Sequence, residues 1–390
     1  MHAFYLAWQY IRHNRIKSVL LVCGVTLTIV VPAAVFILVR FGEEWLMSRA
    51  ASTPMVIGAK GSRVDLSLHA LYFRSKAPAP IGMAEAAKLR EAGLAIPVPL
   101  YGRFTARSFP IVGATLDYFD FRDLRVASGH QIAKLGDCVL GARVAQALAL
   151  GAGDRLLSDS ENVLDLSGAY PLNMRVTGVL AEERTEDDFA VFVDLKTAWV
   201  IAGLGHGHQD VSKADESVIL DRTGNTVVAN AALPEYTEIT DENIGSFHFH
   251  GDPAGFPITA LIALPRDEKS AVLLRGRYEQ QDAAAQLVIP EDVVGEIMEM
   301  VFKAQRIFNY TVVCIAAATV LFLVLIISLS LRLRSTELQT LHKLGCSRHT
   351  MITLVGAELI LIGGISSLFS AGALVLVLQL APVLMRTFLA

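Results

Sequence analysis

The sequence lacks every short motif that marks a self-sufficient nucleotide-binding or hydrolytic enzyme. It has no GxxxxGK[ST] loop to cradle phosphates, no HExxH, no GxSxG and no CxxC. The glycine-rich stretch Gly58 to Arg63, GAKGSR, lacks the spacing and helix context of a phosphate loop and reads as a tight turn after a strand. Cysteine is sparse, with 4 in 390 residues. Cys23 and Cys314 sit in apolar runs, Cys346 in a basic stretch, and Cys138 stands alone in the long middle region, which therefore cannot hold an internal disulfide. Charge is also scarce, at 18% of residues, and the formal net charge of -4 gives no basic field for nucleic acid.

What the chain has instead is apolarity. Hydrophobic residues make up 53% of it and the mean hydropathy is +0.46, both high for a soluble protein. Uncharged runs from Ser18 to Val39, Tyr310 to Leu331 and about Leu359 to Met385 each approach or exceed the roughly 20 residues a helix needs to cross a bilayer. We place transmembrane helices at 18–40, 307–331 and 351–386. The first could be a signal peptide, but it exceeds a typical h-region and leads into Arg40, Glu43 and Glu44, so it reads as an anchor. Pro32 is expected to bend or interrupt it. A hairpin broken at Gly363 and Gly364 would leave too few residues for two spans in the last segment.

Loop charge sets the orientation. Arg12, Arg15 and Lys17 in the basic N-terminus (1–17) and Arg332, Arg334, Lys343 and Arg348 in the second basic segment (332–350) belong on the cytoplasmic side. The region 41–306 is then extracytoplasmic. Its two ends share a strand–helix–strand pattern: PMVIGAK, MAEAAKLREAG and LAIPVPLYGRF near the start, FPITALIAL, DEKSAVLLRGRYEQ and QLVIP near the end. Two such halves predict an α+β, ferredoxin-like base over 41–113 and 256–306. A β-rich lobe inserted over 114–255 separates them, with strands at Asp137 to Leu140, Met174 to Leu180 and Ala190 to Val193 and a helix at Ala142 to Leu148.

Six of the 10 histidines lie in this region, four in two clusters: GHGHQD with His206 and His208, and FHFHGD with His248 and His250. On an extended strand, residues two apart share a face, so each His-x-His can turn two imidazoles toward one ion. The chemistry suits Zn or Cu, with Asp210 or Asp252 as a further ligand. Gly205, Gly207 and Gly251 equally suit exposed loops, where a solvated or partner-facing histidine needs no metal. His69 and His130 are isolated and read as structural or merely exposed.

The segment Arg332 to Thr350, RLRSTELQTLHKLGCSRHT, is too charged to span and has helical spacing. Ser335 suits an N-cap, Leu338, Leu341 and Leu344 recur on one face, and Gly345 supplies a stop. Binding to anionic lipid is the plainer role for such a loop. Together with GAELILIGG at Gly356 to Gly364, however, the segment resembles the signature of FtsX-like permeases of MacB-type ABC transporters, and the FtsX-like region would run over 307–390. The stretches Ile111 to Leu156, IVGATLDYFDFRDLRVASGHQIAKLGDCVLGARVAQALALGAGDRL, and Met174 to Trp199, MRVTGVLAEERTEDDFAVFVDLKTAW, resemble the MacB-type periplasmic core domain. The resemblance implies an inner-membrane permease subunit with the large domain periplasmic, no enzyme activity or cofactor of its own, and ATP and Mg in a separate cytoplasmic ATPase. Glu337, Leu338, Leu341, Leu344, Gly345 and Arg348 would form the ATPase-docking element. ATP-driven motion would pass to the periplasmic domain, a mode called mechanotransmission, for export or extraction of a cargo. A signalling subunit that activates a periplasmic cell-wall hydrolase is the alternative, and a metal-handling membrane protein a third.

Glu358 falls just inside the third span. An acid there can mark an ion path, or it can snorkel or pair with Arg348 or His349 at the interface; in the resembled family a Glu commonly occupies this place. The resemblance implies a dimer with a second permease copy or a related permease. As the family's usual fourth span and basic tail do not appear, a second permease subunit or a small membrane protein would be needed where the symmetric dimer alone does not complete the bundle. A periplasmic adaptor, lipoprotein or outer-membrane factor would be a further partner.

Overall fold

A computed structural model describes residues 2–73, 76–159, 171–207, 219–223, 226–229, 237–280, 284–333 and 348–389. The chain divides into two compact units, one of Met1–Ser48 with Gly295–Ala390, the other of Arg49–Val294.

In the first unit, three helices are long and apolar enough to cross a membrane: Arg15–Ala51, Pro290–Ile326 and Ile352–Ala381. Leu20, Leu321 and Leu368 are more than 60% exposed, as lipid-facing side chains are expected to be. The first helix runs through Pro32 rather than stopping there. Proline removes one backbone donor but its fixed φ is helical, so an apolar run with no competing partner for its amides stays helical. The last helix, Arg348–Leu389, likewise runs unbroken through Gly363 and Gly364.

Sparse polar contacts tie these helices together. Thr26 Oγ1 donates to the Ser366 carbonyl at 3.5 Å and Ser366 Oγ to the Val22 carbonyl at 3.4 Å, pairs separated by 340 and 344 positions. Lys17 meets Glu358 and Thr26 meets Ser366, so contacts advance together along the first and third helices, which therefore run parallel. Thr28 and Thr319 place their hydroxyls 3.4 Å apart, joining the first helix to the second. The N-terminus is not a plain basic tail. It forms the helix His2–His13, which rests on the Arg348–Leu389 helix, buries Ala7 and leaves Tyr5 and Trp8 exposed. Aromatic residues followed by Arg12, Arg15 and Lys17 give it the character of an interfacial helix.

The second unit is built on one mixed sheet of ten strands. Four form the ferredoxin-like base, in the order Ala285–Val288, Met55–Ala59, Ala260–Pro265, Ala95–Ala106, each antiparallel to its neighbour. Ile57, Leu261 and Ala263 share a core with Ala86 and Leu89 of the helix Ala84–Ala92 and Leu274 of the helix Glu268–Tyr278. Alternation turns Gly58 to the other face, where the helix Arg63–Tyr72 packs so closely that a Cβ at Gly58 would lie 2.4 Å from a methyl of Leu66. Ser62 caps that helix by accepting from the Asp65 amide, which gives the GAKGSR turn its role.

The β-rich lobe is present and shares the sheet with the base. A hairpin at Arg107 and Ser108 leads into Phe109–Ala114, and the order continues Val191–Asp194, Asp137–Leu140, Asn173–Leu180, Val126–Gly129, with Arg155–Leu157 also on Asn173–Leu180. Two of these pairings are parallel. Both turn residues have left-handed backbone, φ 51° and 70°, without being glycine. Asp159 holds them, accepting from both amides at 3.0 and 3.1 Å and from Thr105 Oγ1 at 2.7 Å. Burial alone would raise its carboxyl, but these donors outweigh it and hold Asp159 below the usual carboxylate range. Cys138 is buried and unpaired by disulfide.

Candidate functional site

Most of the expected ATPase-docking element, Glu337, Leu338, Leu341, Leu344 and Gly345, lies outside the described residues. Arg348 opens the third apolar helix. Ten residues further along, Glu358 pairs with Lys17 at the start of the first helix, Nζ to Oε1 3.6 Å. The parallel helices explain this, since they bring two residues near their starts to the same level. The acid is thereby paired with a cation from a neighbouring helix.

A second cluster left no trace in the sequence. Arg49, in the last turn of the first helix, is 8% exposed and meets the 2%-exposed Asp187 through two bonds, Nη1 to Oδ2 2.7 Å and Nη2 to Oδ1 3.0 Å. The buried Tyr118 hydroxyl accepts from Arg49 Nη2 at 3.0 Å and donates to Asp187 Oδ1 at 2.6 Å, while Arg49 Nε donates to the Leu71 carbonyl. Every charge in the cluster is answered. Burial would push Asp187 up, but the Arg49 guanidinium and the bonds from Arg49 and Tyr118 hold its carboxyl below the usual range. Burial first, then Asp187, push the Tyr118 phenol up. The chemistry is structural: the Asp187 carboxylate accepts four bonds, two from Arg49 and one each from Tyr118 and Thr185, which leaves it no free lone pair for a substrate.

The histidines form the third cluster. His206 lies on the strand Gly205–Gly207 directly opposite His248 on Phe247–Phe249, and the His250 amide continues the ladder to the Leu204 carbonyl. Opposed positions share a face, and so does a residue two further on, so His206, His248 and His250 converge. The other face explains the glycines. Gly205 and Gly207 oppose Phe249 and Phe247, whose rings would stand 2.6 and 2.7 Å from a Cβ placed there. Both phenylalanines pack against the domain core, where Phe249 meets Phe256 and Phe256 meets Trp199. Aromatic anchoring of one face therefore turns the imidazoles outward.

The three rings have centroids 4.8 to 5.0 Å apart, and one nitrogen from each lies within 4.8 Å of the others. Among the described residues this is the one such group of histidine, cysteine or carboxylate side chains. Among the described residues the first motif contributes His206 and the second both His248 and His250, which share a face as two-apart positions on a strand do. His208 and Asp210 lie outside the described residues. Asp252 is occupied in capping the turn Pro253–Gly255, accepting from the Ala254 amide at 3.0 Å. His69 is buried against Thr259 at 3.0 Å, and His130 is exposed, bonded to the adjacent Gln131 carbonyl.

Comparison with known proteins points one way. The MacB-like periplasmic core domain family matches residues 18–237. Among solved structures, the chain is similar to the periplasmic region of MacB from Actinobacillus actinomycetemcomitans, at 13% identity, TM-score 0.35, covering 65% of this chain and 97% of that one. It is also similar to the extracellular domain of the noncanonic ABC-type transporter YknZ from Gram-positive bacteria, at 12% identity, TM-score 0.33, covering 60% and 98%. No curated protein matches.

Proposed function

The chain belongs to the MacB-like periplasmic core domain family of MacB/FtsX-like ABC transporter permeases, and on that premise we propose that it couples ATP hydrolysis in a separate cytoplasmic ATPase to movement of its periplasmic domain. The observation that carries this is the family match itself, which takes in the first apolar helix and most of the external domain. Three apolar helices agree with a permease, and in this proposal ATP and Mg are bound by the separate ATPase. Glu337, Leu338, Leu341, Leu344, Gly345 and Arg348 form the docking element in this proposal. Their leucine spacing gives a helix an apolar face for the ATPase, and the basic residues keep it at the cytoplasmic surface of the inner membrane. The cargo is exported or extracted on the periplasmic side, and a second permease copy completes the transporter.

The docking element is tested by purifying wild type and Leu341→Asp in mild detergent. The substitution should abolish co-purification of the ATPase while leaving the amount of membrane-inserted permease unchanged. Equal ATPase recovery in both would remove the docking role.

A further inference from the structure

We propose that His206, His248 and His250 form an open binding site for one divalent transition-metal ion of the Zn2+ class. The proposal is independent of ATPase coupling and rests on the geometry of the paired strands. His206 and His250 present Nε2 atoms 3.4 Å apart. Two nitrogens bound at about 2.0–2.1 Å to a tetrahedral Zn2+ stand about 3.3–3.4 Å from each other, so this edge of the coordination polyhedron is already formed. His248 completes the face. Its Nδ1 lies 3.0 Å from the Ser246 carbonyl oxygen, which can only accept, so the proton is on Nδ1 and the lone pair on Nε2. A backbone carbonyl fixing the tautomer of an imidazole is the usual outer-shell support of a ligating histidine.

The donor set selects the ion. Three neutral imidazoles suit Zn2+, Cu2+, Ni2+ or Co2+, whereas Mg2+ and Ca2+ need oxygen ligands. Among the described residues neither thiolate nor carboxylate joins the set: Asp252 caps its own turn and Cys138 is buried elsewhere. His248 and His250 are exposed and His206 half-buried, so among the described residues the fourth position is left to solvent and takes water or an incoming ligand. An open position makes the ion exchangeable, in contrast to a closed structural site. The backbone pairing and the inward phenylalanines pre-place all three rings, and binding needs only side-chain rotation.

The test uses the full chain in detergent, carrying a purification tag without histidine, titrated with Zn2+ against a chromophoric chelator. One equivalent per chain should bind. His250→Gln should weaken it by more than about tenfold, since even outer-shell changes cost about 10- to 100-fold. His206→Ala with His248→Ala and His250→Ala should abolish it, and Co2+ should give visible d–d bands in wild type only. Because His250 is exposed, its single variant should keep the wild-type unfolding temperature without metal, so weaker binding there reports the lost ligand. No stoichiometric Zn2+ in wild type, or equal binding in wild type and the triple variant, would overturn the proposal. A pair of imidazoles joined only by a hydrogen bond would give the first of these results.

Discussion

Replacing Asp187 by alanine should be among the most damaging single changes in the external domain. It leaves the Arg49 guanidinium, 8% exposed, without its counter-charge and removes the acceptor of the Tyr118 hydroxyl. Breaking a buried, doubly hydrogen-bonded pair from one side costs about 3–5 kcal/mol. For a domain of this size, each kcal/mol moves the midpoint by about 2–4 °C, so the loss should be about 6–20 °C. Trp199, whose indole donates to the Pro257 carbonyl at 2.8 Å inside the domain, is a suitable fluorescent reporter of thermal unfolding of the full chain in detergent. Exchanging both partners, Arg49→Met with Asp187→Leu, should recover much of the loss, because the penalty is an unanswered charge and not missing volume. Acid adds a check of sign. The folded carboxyl is held below its unfolded value near 3.9, so its stabilisation is complete above about pH 4 and drains away as pH falls below that. Wild type should lose stability over that window more steeply than the alanine variant. A midpoint shift under about 2 °C for Asp187→Ala would refute the reasoning.

Two further experiments test the architecture. With Cys23 and Cys314 replaced, Thr28→Cys and Thr319→Cys should crosslink on mild oxidation in membranes, because the hydroxyls they replace are 3.4 Å apart; no crosslink would contradict the pairing of the first and second helices. Gly129→Ala should lower the Trp199-monitored midpoint by several degrees, since Gly129 has φ 79° and a Cβ there would stand 2.1 Å from the backbone oxygen of Thr177. A neutral result would show that the edge strand can move aside.

Much of this molecule was legible from local patterns. The three spans announce themselves by length and lack of charge, and both strand–helix–strand blocks of the base fall where PMVIGAK, MAEAAKLREAG, FPITALIAL and QLVIP place them. What local pattern could not reveal was long-range pairing. Arg49 finds Tyr118 and Asp187 at separations of 69 and 138 positions, and Lys17 finds Glu358 through the parallel helices, with nothing in their neighbourhoods to mark them as partners. The hairpin that carries the sheet from base to lobe was hidden for a different reason: its left-handed turn uses Arg107 and Ser108, stabilised by distant Asp159, where glycine or asparagine would signal it. The histidines were visible as motifs, but their grouping required knowing that Gly205–Gly207 pairs with Phe247–Phe249.

The most direct test of the central claim is the subunit composition of the intact protein. The chain would be purified through an affinity tag in mild detergent, with and without crosslinking in cells, and its complexes weighed by native mass spectrometry. A stoichiometric ABC-type ATPase, with ATP hydrolysis in the same preparation, is the predicted result. Recovery of the permease alone under both conditions would contradict ATPase coupling.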